Sequence, residues 1–242
     1  MKQRKKAVLL ALAALLAFAL VFAGCDLGLG RVGTFGDFEW RLDGGNITIT
    51  GYTGSGGAVT IPAEINGNPV RNIGSWAFRD NQLISITIPS SVTSIGGVAF
   101  ADNQLTSITI PSSVTFIGDG AFSNNRLTSI TIPSSVTSIR AVAFADNQLT
   151  SVTIPSSVTY IGGSAFVHNQ LTSITVPPSV TSIGQLAFAS NQCLLISITI
   201  GANVTLASDA FRNGFEAAYN AGGRQAGTYT RPNTDSRVWT RQ

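Results

Sequence analysis

From residue 59 to residue 211, apolar and polar positions recur in one order, and that order repeats every 22 residues. The unit is clearest at 105–126, LTSITIPSSVTFIGDGAFSNNR, where the apolar positions are Leu105, Ile108, Ile110, Val114, Ile117, Ala121 and Phe122. Ile-Pro falls at 88–89, 110–111, 132–133 and 154–155, with Val176-Pro177 next. Ala-Phe falls at 77–78, 99–100, 121–122, 143–144, 165–166 and 187–188. A unit this short cannot bury its own apolar face, so it must stack on its neighbours. Ile108-Thr109-Ile110 has the two-residue period of a strand with one face buried. Pro111 stops it by removing a ladder donor. Ser113-Val114-Thr115 offers a second short extended piece, Gly118 supports the next bend, and Phe122 plugs the interior.

The ends break the pattern in ways that predict caps. Residues 38–42 alternate apolar and polar, Asp43-Gly44-Gly45 supplies a turn, and residues 46–50 alternate again, which predicts a hairpin. Trp40 is the expected apolar lid over the first coil. Val59-Thr60-Ile61-Pro62 begins a degenerate coil, with Asn66-Gly67-Asn68-Pro69 as an extra turn. At the far end, Asp209 is the expected N-cap of a helix whose apolar face is Phe211, Phe215, Ala218 and Tyr219, stopped by Gly222-Gly223. Residues 228–230 and 238–240 are expected to pair around Pro232-Asn233, with Tyr229 and Trp239 closing that end.

Asn81, Asn103, Asn125, Asn147, Asn169 and Asn191 recur three residues after each Phe. Asn tolerates the left-handed region and bonds to nearby backbone, so these predict an internal ladder. The resulting motif, LxxIxIPxxVxxIGxxAFxxN, resembles the BspA-like (Treponema-type) leucine-rich repeats of bacterial surface proteins over residues 38–211. The resemblance implies a right-handed, curved solenoid with parallel strands on its concave side, in a family that includes binders of host matrix proteins and of other bacteria. No catalytic residues come with it. The expected fold is therefore a β-rich solenoid of about seven 22-residue coils at 59–211. A hairpin cap at 38–58 precedes it, and a helix-plus-hairpin cap at 212–242 follows.

Residues 1–6 are basic and 7–22 form an unbroken apolar run, the pattern of an export signal. The run is short for a bilayer span. Ala23-Gly24-Cys25 resembles the lipobox of bacterial lipoproteins, with Phe22 where that family more often has Leu. The resemblance implies cleavage after Gly24, a lipid on Cys25 and a flexible tether over 25–37. The alternatives are an ordinary secretory signal or an uncleaved anchor. In some bacteria Asp after the lipidated Cys retains the protein on the inner membrane, and Asp26 stands there, so the outer membrane or cell surface is the expected site with the leaflet left open. Gly28-Leu29-Gly30-Arg31-Val32-Gly33 matches GxGxxG, but it follows no strand and opens no helix, so it reads as tether rather than as a nucleotide site.

The net charge of +3 does not indicate a nucleic-acid binder. Lys2, Arg4, Lys5 and Lys6 lie in the leader; removing them leaves 11 Arg against 12 acids, a net charge of −1. No basic face remains to neutralise phosphates. His168 is the single His and stands without a Cys or carboxylate constellation, so no metal, cofactor or catalytic site is expected. Cys193 is expected to be a free, partly buried thiol.

Candidate binding residues are those pointing outward. Ser85, Ser107, Ser129, Ser151, Ser173 and Ser197 form one column of the main strand; Thr87, Thr109, Thr131, Thr153, Thr175 and Thr199 form another. At the usual strand spacing of about 4.8 Å they make a hydroxyl carpet without charge or rings. The candidates on it are Ser107, Thr109, Ser129, Thr131, Ser151 and Thr153. Thr also simply suits exposed strand positions. Phe116 and Tyr160 stand where the other coils carry Ser94, Ser138 and Ser182, and two aromatics among serines are candidate anchors. Val98, Val142 and Leu186 are expected to form an apolar strip, and Asp80 and Asp102 share a turn column. The expected function is a monomeric, non-catalytic, lipid-anchored envelope protein. It would offer this surface to an extracellular or envelope protein partner such as a host matrix protein. The alternative is a structural envelope lipoprotein without a dedicated ligand.

Overall fold

The computed structural model describes residues 30–191 and 194–242. The expected export signal, Cys25 and Cys193 lie outside the described residues. Along the axis run seven phenylalanines, Phe78, Phe100, Phe122, Phe144, Phe166, Phe188 and Phe211, each no more than 1% exposed. Successive rings stack with centroids 5.0–5.7 Å apart and interplanar angles of 2–16°. The fold is a β-solenoid of seven coils, and we name each coil after its Phe. Of the seven apolar positions expected to point inward in the 105–126 unit, six are buried and Ile108 is partly buried.

The N-terminal cap is an antiparallel meander of β1 (Arg31–Phe35), β2 (Phe38–Asp43) and β3 (Asn46–Tyr52). The expected hairpin is present, turning at Gly44 and Gly45 with φ of 54° and 77°, the region that only Gly enters freely. One expectation is corrected. Residues 31–35, read as tether, pair along their whole length with β2. The last Gly of the GxGxxG match explains this: a Cβ on Gly33 would sit 2.6 Å from the Trp40 ring, so Gly33 lets β1 close over that ring. Trp40 is partly buried and packs against the core, in keeping with its expected part in the lid. Phe38 and Tyr52 share that work and lie against Phe78, at 6.2 and 5.4 Å between centroids.

The Phe78 coil carries β4 (Gly57–Thr60) and the hairpin β5 (Glu64–Ile65) and β6 (Asn68–Ile73), which holds the extra turn at Asn66-Gly67. The Phe100 coil carries β7 (Leu83–Thr87) and β8 (Ser94–Ile95); the Phe122 coil carries β9 (Phe116–Ile117). In the next three coils follow β10 (Ser129–Thr131) and β11 (Ser138–Ile139), β12 (Ser151–Thr153) and β13 (Tyr160–Ile161), and β14 (Ser173–Thr175) and β15 (Ser182–Ile183). The Phe211 coil has β16 (Ser197–Ile200) and β17 (Thr205–Leu206). Pairing from coil to coil is parallel throughout. The second strand starts at 116 rather than 113, because Val114 N–H bonds back to Pro111 O at 3.0 Å and spends those residues on a turn. Ile108-Thr109-Ile110, expected as the main strand of its coil, forms no strand pairing, in contrast to its equivalents in the flanking coils.

The asparagine column is internal from Asn103 to Asn191, and Asn81 is half-buried. It is a side-chain-to-backbone ladder. Asn147 Oδ1 accepts from Leu127 N–H at 3.0 Å, and its amide nitrogen faces the carbonyls of Phe122, Phe144 and Ala145 at 2.9, 3.3 and 3.1 Å. Each Asn therefore sews its coil to the one before. The left-handed residue is not the Asn but its predecessor: Asp80, Asp102, Asn124, Asp146, His168 and Ser190 have φ of 52–58°.

The C-terminal cap departs from expectation at its start. Helix α1 (Phe215–Ala221) begins after Gly214, not near Asp209, whose φ of 55° is left-handed. The Phe211 and Arg212 N–H groups are taken by the Glu216 carboxylate, which holds the chain in a bend before the helix. Then β18 (Gly227–Thr230) pairs antiparallel with β16, and β19 (Thr240–Arg241) pairs with β18, two residues further along than expected for the hairpin. Phe215 packs against Phe211, Tyr219, Tyr229 and Trp239 and closes the column. Among the described residues no helix is long and apolar enough to cross a membrane.

Candidate binding surface

Two outward surfaces follow from the coil geometry, one on the main strand and one on the short strand. Ser107, Thr109, Ser129, Thr131, Ser151 and Thr153 are all exposed, so the hydroxyl carpet exists through the middle coils. It ends at the Phe211 coil. There β18 covers Ser197 and Thr199, and the Thr199 and Thr228 hydroxyls bond at 2.9 Å. Between the Phe122 and Phe144 coils the carpet opens into a cleft of about 370 Å³, lined by residues 107–110 and 129–131 with Ser112, Pro133 and Ser134. Ile108 and Ile130 supply its apolar floor; Ile108, like Val152 at the equivalent position, is partly buried, whereas Ile86, Ile130, Ile174 and Ile198 are buried.

On the short-strand face, Phe116 and Tyr160 are each 43% exposed, so neither is absorbed by packing into a neighbouring coil. Phe116 pairs with Ser94 and Tyr160 lies between Ser138 and Ser182, which puts the two rings two coils apart on one line. The coil between them contributes Arg140, which sequence reasoning passed over. Its guanidinium lies 5.4 Å from the Phe116 ring centre, and its Nε pairs with Asp119 at 3.0 Å. Arg over an aromatic face is an attractive contact that leaves both groups half-presented to solvent. The only trace of it in the sequence is that Arg140 occupies a position that is Gly in its neighbours.

The structure organises the remaining candidates differently. Val98, Val142 and Leu186 share a column with Trp76, Gly120 and Ser164, all at φ of 55–63°. Gly120 and Ser164 interrupt any apolar strip. A β-branched residue in that region is strained by roughly 1–2 kcal/mol. Val142→Gly is therefore expected to raise stability by about 1 kcal/mol, read as a higher denaturation midpoint, whereas Ala121→Gly in the same kind of turn is expected to lower it. The aspartate column forms pairs. The Asp102 carboxylate accepts from Asn124 and from Arg79, each at 2.7 Å, and these contacts hold its carboxyl below the usual carboxylate range. His168 Nδ1 meets Asp146 at 3.0 Å. Among the described residues no group of His, Cys, Asp and Glu is arranged to hold a metal ion. Arg231 is a buried cation the sequence did not flag. It donates to Leu195, Thr234 and Ser236 carbonyls and lies 5.3 Å from the Trp239 ring, tying the last segment down.

Comparison with known proteins agrees with the coil geometry. The family model of the BspA-type leucine-rich repeat region matches residues 94–216 in six copies. A leucine-rich cell-surface protein of Faecalibacterium prausnitzii, of known crystal structure, is 31% identical, with a TM-score of 0.57; the match covers 70% of this chain and 54% of that one. The chain thus spans about half the length of that protein. A leucine-rich repeat protein of T. pallidum is 21% identical over 80% of this chain and 96% of its own, with a TM-score of 0.49. No curated protein matches the chain.

Proposed function

Because the chain belongs to the BspA-type leucine-rich repeat family, we propose that it is an exported, non-catalytic surface protein, lipid-anchored at Cys25, whose solenoid binds a protein partner. The observation that carries this reading is the exposure of Phe116 and Tyr160. Seven phenylalanines of the same array are shut inside it, while these two rings stand 43% exposed in a column that is otherwise Asn, Ser or Thr. Aromatics and Arg dominate the energetics of protein contacts, and Arg140 stands between the two rings. The hydroxyl carpet supplies neutral donors and acceptors around such anchors but no charge to select among partners. Similarity to a cell-surface protein supports display outside the cell. The apolar run and Ala23-Gly24-Cys25 support anchoring by lipid, which needs more than one acyl chain to be stable.

The purified full chain, screened against matrix proteins and envelope extracts, is expected to capture a protein partner. Phe116→Ser with Tyr160→Ser is expected to weaken that capture at least tenfold, about 1.4 kcal/mol. Undiminished affinity of the double variant for every partner found would remove the two rings as anchors. Cys25→Ser is expected to abolish incorporation of labelled palmitate and to release the protein from the membrane fraction. Continued membrane retention without label would point to an uncleaved anchor.

A further inference from the structure

After the short strands of the first six coils stand Gly74, Gly96, Gly118, Arg140, Gly162 and Gly184, at successive 22-residue steps; in the last coil Ala207 takes the place and its N–H still bonds to Ile183 O at 2.9 Å. Close approach favours glycine in the interior coils: a Cβ on Gly96, Gly118, Gly162 or Gly184 would sit 2.5–2.6 Å from a backbone nitrogen of the preceding coil. Arg140 carries that Cβ. At the flanking junctions the ladder is continuous. Thr115 and Thr159 N–H bond to Thr93 and Thr137 O, both at 2.9 Å, and Gly118 and Gly162 N–H bond to Ile95 and Ile139 O at 2.9 and 2.7 Å. Between the Phe122 and Phe144 coils the corresponding bonds of Thr137 and Arg140 are not made, and β9 and β11 do not pair. The Phe122–Phe144 ring spacing, 5.7 Å, is the widest in the stack. The cleft at 107–110 and 129–131 lies between the same two coils.

On the opposite side these coils stay joined. Gly120, Phe122 and Asn124 N–H bond to Ala141, Ala143 and Ala145 O at 2.9, 2.9 and 3.0 Å, and the Asn147 amide still reaches Phe122 O. Elsewhere the junction is held thinly: Ser135 Oγ donates to Val114 O at 2.5 Å and Thr128 N–H reaches Thr106 O at 3.4 Å. A junction laddered by backbone along one edge and without that ladder along the other is a hinge. We infer that Arg140 makes the Phe122–Phe144 junction a flexural joint in the solenoid, and that its ion pair with Asp119 is the latch across the open edge. Arg140 Nε and Asp119 Oδ1 are 3.0 Å apart, and the same carboxylate accepts the Ala141 N–H at 3.2 Å. The side chain that wedges the coils apart therefore also bridges the gap it makes. Bending about the Phe and Asn edge moves the coils before 127 relative to those after it. That changes the separation of Phe116 from Tyr160 and the width of the cleft. The joint exists whether or not those rings bind anything.

Hydrogen exchange of the full chain tests this. The amides of Thr137 and Arg140 are expected to exchange at least tenfold faster than those of Thr159 and Gly162. In Arg140→Gly the amides at 137 and 140 are expected to slow to the rate of their neighbours. Spin labels at Ser90 and Ser156, which flank the joint, are expected to give a broad distance distribution that narrows in Arg140→Gly. Asp119→Asn, which loosens the latch but leaves the wedge, is expected to broaden it further. Equal protection at 137 and 159 in the native chain, or a distance distribution unchanged by Arg140→Gly, would overturn the joint.

Discussion

Replacing Phe122 with Ala is expected to cost about 3–5 kcal/mol, the range for removing a large buried ring from a core that cannot fully collapse around the void. Phe122 is fully buried and touches rings on both sides, Phe100 at 5.4 Å and Phe144 at 5.7 Å. At about 2–4 °C per kcal/mol for a chain of this size, the melting temperature should fall by roughly 6–20 °C. The shape of the transition should change too. Each coil contacts only its neighbours, so a void in the middle weakens the coupling between the coils before it and those after it. Denaturation followed separately through Trp76, on the N-terminal side, and Trp239, on the C-terminal side, is expected to be coincident in the native chain and to separate in Phe122→Ala. The exposed ring Phe116 provides the comparison: Phe116→Ala should move the midpoint by less than about 1 kcal/mol. Equal losses for the two variants would contradict an interior column.

The second large effect is expected at Asn147. Its amide serves one N–H and three carbonyls, all within the two coils it joins. Asn147→Ala leaves Leu127 N–H and at least one carbonyl buried without a partner, at about 1–3 kcal/mol for each orphaned group. Asn147→Asp separates the two halves of the argument. Its carboxylate can still accept from Leu127, but it faces the carbonyls of Phe122, Phe144 and Ala145 with no donor. Burial and those dipoles both oppose ionisation, so the carboxyl should titrate above the ordinary Asp range in the folded state. The folded state then binds a proton the unfolded state releases, and stability must fall as pH rises through that interval. Asn147→Asp is accordingly expected to approach the native chain near pH 4 and to lose ground by pH 7, measured by denaturation midpoints at both values. A pH-independent deficit would mean that the donor half of the amide carries nothing.

The ladder also shows where sequence reasoning reaches its edge. Asn191 is followed 22 residues later by Asn213, but the spacing from Phe188 to Phe211 is 23. The slip of one leaves the Asn213 amide nitrogen buried without a partner, while its Oδ1 accepts from Phe215 N–H and opens the cap. Periodicity made the coils, the phenylalanine column and the asparagine column legible, because each follows from one residue type at one spacing. The inward positions read at 105–126 were buried for that reason. What could not be read were contacts that depend on how one strand lies on another: Gly33 under Trp40, Phe38 and Tyr52 over Phe78, and β18 along β16. None of these has a repeat to average over. The candidate surface is legible as a departure from the consensus at Phe116 and Tyr160, both exposed. Arg140, the residue between them, was hidden because a lone Arg after a short strand looks like ordinary surface. Only the 2.5 Å approach at Gly118 reveals what a side chain does there.

Both ends of the stack are shut by antiparallel pairing, β3 with β2 at one end and β16 with β18 at the other. Among the described residues these pairings cover one sheet of each terminal coil, so copies of this chain cannot join end to end through β6 or β16. The same arrangement leaves length itself adjustable. Duplicating a 22-residue block in the interior preserves both termini and adds one phenylalanine, one asparagine and one row of hydroxyls. The length of the solenoid can therefore be tuned by copy number alone, with no new end to invent.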